Sequence, residues 1–147
     1  MVKSEPLNIL LVEDDPGDVV LVREALAERA LPVRLEVVGD GVEAMSYVRA
    51  EDGYASRSMP DLILLDLNLP RKSGTEVLAE IKADAALCTI PVIVLTTSKA
   101  DADVLAAYRE HANAYVTKPS DFARFREIVQ RIDEFYAGVV RLPPHPA

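Results

Sequence analysis

Cysteine is almost missing: Cys88 stands alone, which excludes an internal disulfide and a cysteine-based metal site. Tryptophan is absent, and the two histidines, His111 and His145, are too far apart and too weakly accompanied to suggest a metal pair. Bases are fewer than acids, 16 against 24, and the formal charge of −8 disfavours a nucleic-acid partner. Long apolar runs are lacking too. Leu62 to Leu65 and Val92 to Leu95 are far too short to cross a bilayer, and MVKSEPLN has no apolar signal core. These absences predict a soluble, cytoplasmic protein without a membrane or nucleic-acid partner. Half of the 147 residues are hydrophobic, and no repeat or low-complexity tract interrupts them, so residues 1–147 read as a single domain. Its core spans about 7–140, and a proline-rich tail covers 141–147.

What is present alternates between two periods. ILLV at 9–12 followed by Glu13, Asp14 and Asp15, LILLD at 62–66, and VIVLTTS at 92–98 are continuous apolar runs that suit strands buried on both faces. Val33, Leu35 and Val37 alternate as another strand, and AYVTKP at 114–119 is a fifth, stopped by proline. Helical spacing separates them. It runs from Pro16 to Ala30, through Val42, Met45, Tyr47 and Val48, through Val77, Leu78 and Ile81, from an expected N-cap at Asp101 to about Glu110, and from near Asp121 through Val139. Five strands alternating with five helices predict an α/β fold, a doubly wound parallel sheet covered on both faces.

Such sheets bind ligands at the C-terminal ends of their strands. That rim collects Glu13, Asp14 and Asp15; Asp66; Thr96, Thr97 and Ser98; and Lys118. Adjacent carboxylates repel unless a cation joins them, and an all-oxygen donor set favours Mg²⁺. A phosphoryl group on one carboxylate completes the set: the metal offsets its charge, the lysine pairs with one oxygen and a threonine hydroxyl bonds another. Asp66 ends the most apolar strand and is the only acid between residues 62 and 75. It is therefore assigned as phosphoacceptor, with the 13–15 cluster supplying metal ligands. Two rivals fit less well. An anionic cofactor would be repelled by EDD, and a phosphatase with an aspartate nucleophile usually carries a general acid two residues on, where this chain has Asn68.

In order and spacing, ILLVEDD, LILLDLNLPRKSG, IPVIVLTTS and AYVTKP resemble the motifs of response regulator receiver domains of two-component signalling, over about residues 7–140. The resemblance implies the flavodoxin-like (βα)5 fold and a phosphorelay protein that catalyses only its own phosphotransfer and autodephosphorylation. By it, Asp66 accepts phosphate from a histidine kinase; Asp14, Asp66 and the backbone carbonyl of Asn68 bind Mg²⁺ or Mn²⁺, and Glu13 acts through a water. Thr96, Thr97 and Lys118 would face the phosphoryl group, the Lys118–Pro119 bond would be cis, and Tyr115 would swing inward to alter the face of the fourth helix, fifth strand and fifth helix. DLNLPRKSG, IKADAALCTIPVIVLTTS, HANAYVTKP and FYAGVVRLPP further resemble the single-domain regulators paired with phytochrome kinases. That implies a bacteriophytochrome partner and a homodimer. Phe135, Tyr136, Val139, Val140 and Leu142 exceed what one buried helix face needs, which makes them the expected dimer contact.

Overall fold

The structure is a computed structural model that describes residues 6–28 and 32–145. Its elements run β1 (Leu7–Val12), α1 (Pro16–Ala27), β2 (Val33–Val38), α2 (Gly41–Val48), β3 (Leu62–Leu65), α3 (Gly74–Ala83), β4 (Val92–Thr96), α4 (Asp101–Arg109), β5 (Ala114–Thr117) and α5 (Phe122–Gly138). All strand pairs are parallel, in the order β2-β1-β3-β4-β5. This is the doubly wound sheet that the alternating pattern predicts.

The two-residue period of a strand divides the core. Leu10, Val12, Ile63, Leu65, Val92 and Val94 face α2, α3 and Ala107 of α4. Ile9, Leu11, Leu62, Leu64, Ile93 and Leu95 face Val22, Ala25 and Leu26 of α1 and Phe125 and Val129 of α5. Each face of the sheet thus needs its own apolar side chains, which is why the central strands read as unbroken runs. β2 is an edge strand, and its Arg34 and Glu36 are exposed between half-buried Val33, Leu35 and Val37. Among the described residues no helix is long and apolar enough to cross a membrane.

Every helix starts at the rim where the strands end. The side chains of Asp15, Asp40, Ser73 and Asp121 accept backbone N–H groups at the starts of α1, α2, α3 and α5. Two boundaries differ from expectation. Asp101 does not cap α4: Ala100 occupies that position without a side-chain bond, and Asp101 is the first helical residue. β4 stops at Thr96 rather than Ser98, because the chain turns into the loop that Ser98 braces through Asp103. α1 ends at Ala27, and its expected continuation over 29–30 lies outside the described residues, as do residues 146–147 of the tail. The rest of the tail returns under the sheet, where Leu142 packs on the α1–α5 core and His145 Nε2 lies 2.8 Å from Asp61 Oδ1.

The loop after β3 is wedged tightly between its neighbours. A β-carbon on Gly74 would stand 2.1 Å from the carbonyl oxygen of Asp66, and one on Gly41 would stand 2.0 Å from that of Lys72. Only glycine lets α2 and α3 close on this loop, and the closure holds Asp66 in place.

Candidate functional site

Parallel pairing with β1 and β3 in register, Val12 opposite Leu65, brings Glu13 and Asp66 together one residue further on. The Asp66 N–H donates to Val12 O at 3.1 Å, which fixes the start of the loop. On the other side, β4 and β5 pair Thr96 with Thr117, and the Lys118 N–H donates to Thr96 O at 2.7 Å. Lys118 therefore leaves the sheet beside the two acids.

The Lys118 ammonium is buried, its side chain only 4% exposed. It donates to Asp66 Oδ2 at 2.9 Å, to Asp18 Oδ2 at 2.8 Å and to Glu13 Oε1. An ammonium has three N–H donors, so all are engaged. The other oxygen of Asp66, Oδ1, accepts the Asn68 N–H at 3.1 Å. Burial alone would raise the Asp66 pKa, but the hydrogen bond and charge of Lys118, the Asn68 N–H and the contact with Glu13 outweigh it and hold the carboxyl below its ordinary value. Glu13 goes the other way: burial first, then the nearby Asp66 charge, push it up to about 7 despite the pull of Lys118. Burial works against the Lys118 charge, yet its bonds to Asp18, Asp66 and Glu13 raise its pKa above that of an ordinary lysine.

Carboxylate oxygens of Glu13, Asp14 and Asp66 lie within 4.8 Å of one another. Counting Asp18, the rim gathers four acids and one lysine, and the residual negative charge together with the oxygen-only donors fits a hard divalent cation. Asp14 is exposed, so it offers that cation an approach from solvent. A cation beside this cluster would favour the ionised form of Glu13. Below about 7 the Glu13 proton is bound in the free protein, so metal affinity falls as the solution becomes more acid. Affinity is expected to be about tenfold weaker at about pH 6 than at about pH 8, with close to one proton released per metal at the lower value. Calorimetry in buffers of different ionisation enthalpy measures both; an affinity flat across this range would contradict the role of Glu13.

Other expected residues are placed with mixed outcomes. Thr96 is fully buried at the end of β4, with the Ser98 N–H directed at its hydroxyl at 3.5 Å, whereas Thr97 is exposed. Tyr115 is half-buried, and its hydroxyl donates to Ser98 O at 3.0 Å. Asp15 leaves the acid cluster: its Oδ1 accepts the N–H groups of Gly17 at 2.8 Å and Asp18 at 3.4 Å, so it caps α1. The cis bond expected at Lys118–Pro119 is not found, since no described peptide bond is cis. Trans is favoured by about 0.5–1 kcal/mol at X–Pro bonds, and Lys118 reaches its three acids with the bond in that form. Of the dimer candidates, Phe135 and Val139 are 51% and 74% exposed, while Tyr136 and Leu142 pack in part on the core. Asp18 was not singled out from the sequence. An acid in the first turn of a helix ordinarily complements the helix dipole, and only the fold brings it to a lysine one hundred positions away.

This fold and this acid–lysine rim define a receiver domain of two-component signalling. The family described as response regulator receiver domain matches residues 9–130, and the chain belongs to it. It is 45% identical to response regulator Rcp1 of Synechocystis over 140 residues, 95% of each chain. Among solved structures, phosphorylated RcpA, a cyanobacterial phytochrome response regulator, is 48% identical, with a TM-score of 0.93 over 95% of this chain and 100% of that one. The Mn²⁺-bound form of Rcp1 superposes with a TM-score of 0.91 at 45% identity, over 95% and 100% of the two chains.

Proposed function

We propose that the protein takes a phosphoryl group onto Asp66 from the phosphohistidine of a phytochrome-type histidine kinase in the cytoplasm, with Mg²⁺ as the resident cation. The observation that carries this reading is the buried Asp66 carboxylate held between Lys118 Nζ and the Asn68 N–H, beside the Glu13–Asp14 pair. Asp14, Asp66 and the Asn68 carbonyl would hold the cation, with Glu13 acting through a water. When bound, it supplies neutralisation of the charge on the transferring phosphoryl oxygens.

The residues of the chain perform the transfer. Asp66, kept ionised by Lys118 and the Asn68 N–H, attacks phosphorus in line with the departing imidazole. The P–N bond breaks, its electron pair returns to the ring nitrogen, and that nitrogen takes a proton from water. Lys118 then stabilises the new acyl phosphate through one of its oxygens, and the Thr96 hydroxyl bonds another. Tyr115, tied to Ser98 O just beyond Thr96, links that movement to the face of α4, β5 and α5. Attack of water on phosphorus regenerates Asp66 slowly. Thr97, exposed at the same strand end, narrows the approach of donor and water.

Incubation with phosphoramidate, a small P–N donor, tests the reading by intact mass. The protein should gain one phosphoryl group with Mg²⁺ and none with a chelator; equal uptake under both conditions would oppose it.

The same reading includes a homodimer through the end of α5. Phe135 and Val139 expose most of their apolar surface one turn apart, and Tyr136, Val140 and Leu142 flank them. Replacing Phe135 and Val139 together by glutamate should halve the mass seen by light scattering at tens of micromolar, roughly the range in which weak dimers form. A wild-type chain already monomeric there would remove this part of the reading.

A further inference from the structure

Lys118 has no N–H left to give. Its three donors are taken by Glu13, Asp66 and Asp18, so a phosphoryl oxygen that bonds this ammonium must displace one of them. The three carboxylates are not equally costly to release. Side chains of Glu13 and Asp66 are 3% and 9% exposed, so no solvent water stands ready to replace the lysine N–H on either. Asp18 is 23% exposed, so water can replace the lysine. It also lies in the first turn of α1, where the positive end of the helix dipole stabilises a free carboxylate.

We propose that Asp18 is a positioning residue for Lys118: it holds the ammonium over the rim while Asp66 is unmodified and is the partner that Lys118 releases when a phosphoryl oxygen arrives. Asp18 therefore opposes phosphoryl uptake in the resting protein and competes for the lysine afterwards. This rests on Asp66 being the phosphoacceptor.

The role separates an anion from a cation. Removing the Asp18 charge takes away a competitor for Lys118 and a repulsion on the phosphoryl group, so an anionic mimic should bind more tightly. The same change removes negative charge near the metal, so the cation alone should bind slightly less well. A damaged site would weaken both.

The experiment titrates Mg²⁺ alone, and then beryllofluoride at saturating Mg²⁺, into wild type, Asp18→Asn and Asp18→Glu, reading NMR shifts near Asp14, Asp66 and Lys118. In Asp18→Asn, beryllofluoride affinity should rise about three- to tenfold and Mg²⁺ affinity should fall by about twofold, in line with loss of one partly exposed charge. Asp18→Glu restores the carboxylate and should return both towards wild type. In the metal-free protein, the side-chain resonances of Lys118 should shift in Asp18→Asn and less in Asp18→Glu. Beryllofluoride affinity that is unchanged or lower in Asp18→Asn, while wild type binds both probes, overturns the role of Asp18 alone. A wild-type chain that binds neither probe overturns the phosphoacceptor reading, and this inference with it.

Discussion

Asp66→Asn should reduce phosphorylation by small-molecule donors by at least about a thousandfold, the scale on which removal of a nucleophile acts. The amide keeps the shape of the carboxyl, and its oxygen can still accept the Asn68 N–H, so the loop closed over Gly74 has no steric reason to move. What disappears is the negative charge that attacks phosphorus. Thermal unfolding should therefore stay cooperative, with stability within about 1–2 kcal/mol of wild type, because one repulsion with Glu13 is lost along with one bond to Lys118. Intact mass after incubation with acetyl phosphate checks the chemistry, and calorimetry checks the fold. An Asp66→Asn chain that gains phosphate at the wild-type rate would end the assignment.

Lys118→Met should have the second largest effect, and on stability as well as on transfer. Methionine fills much of the same volume but leaves Glu13 and Asp66, both nearly buried, without a cation. Breaking a buried ion pair from one side costs about 3–5 kcal/mol. The deficit has a pH sign. Without Lys118, both folded carboxyls hold their protons to higher pH, so the folded state is favoured in acid and the loss grows as pH rises through their folded values. Added Mg²⁺ replaces part of the missing charge, and the stabilisation it brings should be larger in Lys118→Met than in wild type. Urea denaturation in metal-free buffer and again with Mg²⁺ measures this directly. A metal-free variant as stable as wild type at neutral pH would show that the three-acid network carries little energy.

The central strands were legible because their environment is uniform. β1, β3 and β4 are covered on both faces, so Ile9–Val12, Leu62–Leu65 and Val92–Leu95 need apolar side chains at every position. From there the rim followed, since the end of a parallel strand is a fixed place in the fold. Glu13, Asp66, Thr96 and Lys118 all lie at or one residue past such ends.

Features that depend on distant contacts were not legible. Asp15 and Asp14 are identical side chains one position apart, yet one caps α1 and the other joins the acid cluster, because the chain turns into the helix between them. Asp18 pairs with Lys118 only because α1 starts beside the end of β5. The start of α4 shows local competition: Asp101 is a good capping residue, but Ser98 and Asp103 bond across the loop and Ala100 takes the cap. Tyr136 and Leu142 read as surplus apolar residues, yet both pack in part on the core, Tyr136 from α5 and Leu142 from the tail.

On the proposed function, Asp66 itself carries the phosphoryl group, steadied by Lys118 and a divalent cation. Borohydride reduces an aspartyl phosphate to homoserine, so the protein can be phosphorylated with Mg²⁺, reduced, digested and sequenced by tandem mass spectrometry. Homoserine at position 66 alone is the expected result. Homoserine elsewhere on the acidic rim, or none in a chain that has gained phosphate, would contradict it.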